Sequence, residues 1–237
     1  MKSLEGNFLR TTAAIGLLAP LLLAGCAGQM PSELSTAPAY LVAVKATPLP
    51  HDDARMAHYS YHTWFDLKDG GEDTWQRVEI LFNSPHVLIY SIDSKEAHND
   101  QRWNGTVNVV GYAEGEKAQA MIPKILAEAR AYDSSHYREW PGPNSNTFVA
   151  QIARDTPGLS VNFFHNALGK DYTPSFYAGP SASGTGLQAD TCFIGVEAGV
   201  TDGLELHFLQ TTAGISLFPP AIDLPLLPRI GLTPRGN

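Results

Sequence analysis

The hydrophobic period changes twice along this chain, and that order restricts the folds open to it. Three strand-like stretches come first, Tyr59 to Leu67, Thr74 to Leu81 and His86 to Ile92, each bounded by Gly, Asn, Pro or Asp turn residues. Lys68-Asp69-Gly70-Gly71 suits a turn that joins the first two as a hairpin. Thr106 to Val110 adds a further strand candidate, and the β-branched run Tyr40-Leu41-Val42-Ala43-Val44 reads as a first strand or a cover for the core. Between Glu116 and Tyr132, Ala118, Ile122, Ile125, Leu126 and Ala129 then recur at helical spacing, with Pro123 placed to kink or start the helix. A second helix is expected from Asn144 to Arg154, with Phe148, Val149 and Ile152 facing the core and Pro157-Gly158 beyond its end. The period then returns to β-structure at Phe193 to Val200 and Leu204 to Leu209, joined through Thr201-Asp202-Gly203. Strands, helices and strands in that order predict an α+β domain: an antiparallel sheet with two main helices.

From Phe218 onward, Pro219, Pro220, Pro225, Pro228 and Pro234 argue against regular structure. Ile222, Leu224, Leu226 and Leu227 are too apolar for free solvent, so this tail is expected to pack in an extended form.

The N-terminus carries Lys2 and Arg10, an apolar run from Ala13 to Leu23, and then Ala24-Gly25-Cys26, the order of an export signal. The run is too short to remain as a spanning helix. Leu23-Ala24-Gly25-Cys26 resembles a lipobox, which implies cleavage before Cys26 and a lipid on its thiol. The expected organisation is a signal peptide over 1–25, the lipidated Cys26 and a Pro-rich tether over 26–50, and one domain over 51–237. The expected location is the bacterial cell envelope, at the outer membrane and facing the periplasm, since Ala27 follows Cys26 where an acidic residue can act as an inner-membrane retention signal. With Cys26 acylated only Cys192 is left, so no internal disulfide can form and the core must supply stability. Losing Lys2, Arg10 and Glu5 with the signal moves the formal charge from −8 to −9. An acidic body argues against nucleic acid as a partner.

The densest chemical signal is Tyr137-Arg138-Glu139-Trp140-Pro141-Gly142-Pro143-Asn144-Ser145-Asn146-Thr147-Phe148. With His62-Thr63-Trp64 upstream and Gly169-Lys170-Asp171-Tyr172 downstream, it resembles the bacterial family of unknown function DUF3750, over about His58 to Ile230. That resemblance implies no mechanism. A second resemblance does: circularly permuted papain-like hydrolases place a His on an early strand in a His-x-Trp setting, and later a Cys at a helix start in an Asn-Cys-x-x-Phe setting. His62 and Asn144-Ser145-Asn146-Thr147-Phe148 follow that order, with Ser145 standing where the pattern has Cys. The resemblance implies a permuted papain-like arrangement with Ser145 as nucleophile and His62 as base. Ser is the weaker nucleophile and needs that base. Glu79, by pairing across the hairpin, or Asp66 would orient the imidazole. A side chain in a first helical turn sees free N–H groups able to stabilise an oxyanion.

Asn and Ser are also favoured helix caps and Pro-Gly-Pro is turn chemistry, so the same string reads equally as a sharp approach to a helix. In a binding-only domain Trp64, Tyr137, Trp140, Asn144 and Asn146 would line a groove for a peptide, glycan or lipid, or the aromatic residues would simply fill the core. His51, His58, His62, His86 and His98, with Asp52 and Asp53, lack a dense ligand motif, and no metal is expected. Gly184-Thr185-Gly186 reads as a turn rather than a phosphate loop, and no cofactor is expected. Lys170-Asp171 reads as a solvated loop pair.

Overall fold

A computed structural model describes residues 38–49, 59–71, 73, 75–82, 84–100, 102–103 and 107–232. The export signal, Cys26, most of the tether, and His51, Asp52, Asp53 and His58 lie outside the described residues. Among the described residues the architecture is α+β, with two antiparallel sheets and three helices.

The first sheet holds β1 (Tyr40–Pro48), β2 (Tyr61–Asp69), β3 (Trp75–Leu81), β4 (Ser84–Ile92) and β5 (Asn108–Glu114), in the order β4-β3-β2-β1-β5. The Tyr40 run is therefore a central strand, paired with β2 on one side and β5 on the other. Its alternation divides the sheet into two faces. Val42, Val44 and Ala46 join Phe65, Leu67, Val78 and Ile80 on the face covered by α2 (Gly115–Ala131) and α3 (Ser145–Asp155). All five periodic residues of α2 are buried there. Pro123 lies inside α2 and does not start it. Its ring is on the exposed side, as is Gln119, so the carbonyl deprived of a helical donor meets solvent.

The opposite face of the first sheet carries a buried ionic network. Asp66 receives both the Nε and an Nη of Arg77, at 2.8 and 2.9 Å, and lies 2.9 Å from the Lys45 ammonium. Asp100 accepts from both cations, each at 2.6 Å. A short helix, α1 (Ser94–Asn99), seats Ala97 against Leu41, Ala43 and Trp75 beside this network. Six residues are too few to show a helical period, so α1 is not visible in the sequence.

The second sheet is a meander of seven consecutive strands: β6 (Tyr177–Pro180), β7 (Gly186–Asp190), β8 (Ile194–Gly199), β9 (Gly203–Phe208), β10 (Thr211–Leu217), β11 (Pro220–Asp223) and β12 (Ile230–Gly231). The last two overturn the expectation of no regular structure after Phe218. Pro220 opens its strand, a place where a missing N–H is tolerated. The expectation that the tail packs away its apolar residues is overturned as well, since Ile222, Leu224 and Leu227 are exposed.

This second sheet is inverted relative to a sheet half-covered by a core. Gln188, Asp190, Glu197, Glu205, His207 and Thr212 point inward and are buried, while Leu187, Val196, Leu206, Phe208 and Ile215 point outward and are exposed. Lys170 and Asp171 complete the inward layer: the ammonium lies 2.8 Å from Asp171 and 3.0 Å from Glu205. The pair expected in solvent is thus 5% and 3% exposed, because its partners arrive from strands distant in sequence. The two layers are joined further by Trp140, whose Nε1–H donates to the Leu209 carbonyl at 2.9 Å.

Candidate active site

The string before α3 fixes where that helix begins. Asn144 is the N-cap: its Oδ1 accepts from the N–H of Asn146 and of Thr147, and Thr147 Oγ1 accepts from the Asn144 N–H, a complete capping box. The Asn144 amide nitrogen donates to the carbonyls of Glu139 and Leu168, which fastens the cap to the segment at Gly169. Gly169 has φ +89°, and a Cβ there would lie 2.5 Å from Asn144 Nδ2, so the position requires glycine. Asn146 donates to the carbonyls of Tyr61 and Leu168 and accepts from Thr63 Oγ1 at 3.0 Å. These bonds tie the start of α3 to the start of β2. Ser145 on α3 and His62 on β2 are consequently neighbours.

The Ser145 hydroxyl lies 3.1 Å from His62 Nδ1, and His62 Nε2 lies 3.0 Å from Glu79 Oε2 on β3. The three side chains are buried, at 6%, 4% and 0% exposure. The other Glu79 oxygen, Oε1, accepts from the Tyr90 hydroxyl at 2.5 Å and from Arg102 at 2.7 Å. Burial by itself would raise the Glu79 carboxyl, but bonding and charge from His62, the Tyr90 hydroxyl and Arg102 outweigh it and bring the group down to about 2. Burial and the Glu79 carboxylate together push the Tyr90 phenol up, so it stays a donor. An ionised Glu79 can only accept, so a neutral His62 carries its proton on Nε2 and turns the lone pair of Nδ1 toward the Ser145 hydroxyl. This is the tautomer a general base needs.

The sequence expectations fare differently at this site. His62, Ser145 and Glu79 come together. Asp66, the other candidate to orient the imidazole, is occupied by Arg77 and Lys45. Trp64 is fully buried, with its ring 5.5 Å from that of His62 and under the Arg77 guanidinium, so it forms a floor for the imidazole. Asn144 and Asn146 spend their amides on the framework described above. Tyr137 is half-buried against the main core, and Trp140 is 38% exposed. Three contributors had no local signal. Tyr90 and Arg102 reach Glu79, and the Trp103 ring lies 5.0 Å from that of His62. None of them belongs to a recognisable motif, and only the folded sheet brings them to the hairpin.

His86 and His98 stand apart from this site: His86 is exposed, and His98 Nδ1 bonds the Ser94 carbonyl within α1. Among the described residues, one group has the composition to hold a metal, Asp171, Glu197 and His207 of the inward polar layer. The Lys170 ammonium already supplies a cation to Asp171 there. His207 Nδ1 is bonded to Asp190 at 2.6 Å.

No curated protein and no solved structure matches the chain. A family model described as "protein of unknown function (DUF3750)" matches residues 51–172, just over half of the sequence. The matched span includes His62, Glu79 and Ser145, together with Asn144 and Gly169 that set the helix start, and it stops before β6. By that match, the chain belongs to the DUF3750 family.

Proposed function

We propose that this protein is a cell-envelope lipoprotein, held by a lipid on Cys26 at the periplasmic side of the outer membrane. In this reading its domain is a hydrolase or acyltransferase with a permuted papain-like arrangement. The observation that carries it is the continuous chain from Ser145 Oγ through the imidazole of His62 to Glu79, with contacts of 3.1 and 3.0 Å.

The chemistry follows from the positions. Ser145 Oγ attacks the carbonyl carbon of an amide or ester while its proton passes to His62 Nδ1, and Glu79 stabilises the imidazolium through Nε2–H. The tetrahedral oxyanion sits at the start of α3. The cap already takes the N–H groups of Asn146 and Thr147, whereas it does not take that of Ser145, which serves as the oxyanion donor. Collapse expels the amine or alcohol, which takes the proton back from Nδ1 and leaves an acyl group on Ser145. Water, or an acceptor hydroxyl or amine, then releases that acyl group by the same proton route in reverse. Trp140 and Tyr137, beside the approach to α3, are the side chains assigned to the substrate. Trp64, Asn144 and Asn146 position the catalytic groups.

The test is turnover of nitrophenyl esters and of envelope-derived acyl peptides by the full chain. Ser145→Ala is expected to lower kcat/KM by about 10³-fold or more with the fold intact. Turnover unchanged in Ser145→Ala would contradict the assignment. The deep burial of Ser145 and His62 favours one second reading, a binding-only domain for a peptide, glycan or lipid. Saturable binding with no turnover by the native chain would select it.

A further inference from the structure

The outward face of the second sheet is apolar from edge to edge. Cross-strand partners on it are Leu187 with Ala198, Val196 with Leu206, Ile194 with Phe208, Leu204 with Ile215, and Ile215 with Ile222. Not one outward position in β6 to β12 carries a charge. Leu206, Phe208 and Leu217 are 60%, 63% and 69% exposed. Scattered exposed apolar residues are ordinary, but a contiguous apolar sheet face backed by a buried layer of Asp, Glu, His, Lys and Gln is the reverse of a water-facing sheet. It has the polarity of sheets that face hydrocarbon.

We infer that this face docks on the surface of a lipid bilayer, seating the apolar side chains of β7 to β11 in the acyl region. Three observations favour lipid as the occupant. First, the face offers no charged side chain, whereas a protein interface brings polar groups and on the order of one hydrogen bond per 100–200 Å². Second, the strands are too short to cross: they contain four to seven residues, apart from two-residue β12, against the roughly nine to eleven that a spanning strand needs. The sheet is also an open meander rather than a closed barrel. These dimensions suit a surface that lies on a membrane. Third, β1 starts at Tyr40, so chain from a lipid on Cys26 reaches at most about 50 Å and keeps the domain at the bilayer. This last argument rests on the lipid-anchor reading; the first two do not.

The driving force is apolar burial. The body is acidic, with a formal charge of −8 for the whole chain, so anionic headgroups add no attraction.

The test uses the mature chain from residue 26, made without the signal and without acylation as Cys26→Ser, with vesicles of zwitterionic phosphatidylcholine. The protein is expected to float with the vesicles, with no gain on adding phosphatidylglycerol and little loss in high salt. Leu206→Glu and Phe208→Glu change side chains that already meet solvent, and each is expected to weaken flotation at least tenfold with unaltered thermal unfolding. Leu206→Ala, which adds no charge, is expected to weaken it less. A folded chain that stays in the aqueous fractions would overturn the inference. So would a dimer in light scattering that Leu206→Glu dissociates without any affinity for vesicles, because the face would then belong to a second copy. Metabolic labelling of Cys26 with palmitate tests the anchor separately, so failure of one reading is distinguishable from failure of the other.

Discussion

At the scale of single residues, the division of labour in Glu79 is the informative detail. One carboxylate oxygen is committed to Tyr90 and Arg102, both donors, and the other meets His62. In Glu79→Gln the amide oxygen must stay with those donors, so the amide NH₂ faces His62. The imidazole then takes the opposite tautomer, with its proton on Nδ1, and no lone pair is left to accept from Ser145. The expected result is a loss of about 10³- to 10⁴-fold, mostly in kcat, with thermal unfolding changed far less. Comparable kcat for Glu79→Gln and the native chain would show that Glu79 does not position the base. Of these groups, His62 and Ser145 were legible, because His-x-Trp on a strand and Asn-Ser at a helix start are local patterns, whereas Glu79 was one of two carboxylates offered for the imidazole, and only the folded sheet separates it from Asp66. Tyr90, Arg102 and Trp103 were not legible, since their roles exist only once β3, β4 and the segment after α1 are packed together.

At the scale of elements, what could be read followed the length of the periodic signal. Helix α2 and hairpin β2–β3 were legible to within a few residues, since each carries a full apolar stripe or a turn between two alternating runs. The start of α3 was legible too, although the sequence left a cap and a nucleophile as alternatives. In the structure Asn144 is the cap, and Ser145, the next residue, has its hydroxyl against His62. The second sheet was only partly legible. β8 and β9 stood out, but β6 and β7 are short, β10 is interrupted by Gly214 at its centre, and the prolines of the tail concealed β11 and β12. The polarity of that sheet was hidden for a different reason. Alternation of apolar and polar residues tells that a strand has two faces and not which face is buried, and Lys170-Asp171 gave no sign of the buried layer with Asp190, Glu197 and Glu205 that it would join.

At the scale of the whole molecule, that layer makes stability depend on pH. His207 is buried, which by itself would lower its imidazole, but Asp171, Asp190 and Glu205 outweigh burial and raise it from an ordinary 6.5 to about 10. A group whose folded value is raised contributes stability that is complete below its unfolded value and is lost as pH rises through the folded one. Glu197 acts with the same sign: burial holds its carboxyl well above 4.5, and ionising it in the folded state costs stability as pH rises. The melting temperature is therefore expected to fall between about pH 7 and pH 10, and His207→Gln to flatten that slope. A slope unchanged by His207→Gln would place the titrating group elsewhere. The first sheet and its helices hold Ser145, His62 and Glu79, and the second sheet backs them through Lys170 and Trp140. Treating the full chain with a fluorophosphonate and locating the adduct by mass spectrometry tests whether Ser145 is a nucleophile activated by His62. One adduct is expected, on Ser145, lost in His62→Ala and in Ser145→Ala. A folded protein that takes up no adduct at Ser145, or takes it up at the same rate without His62, would contradict that activation.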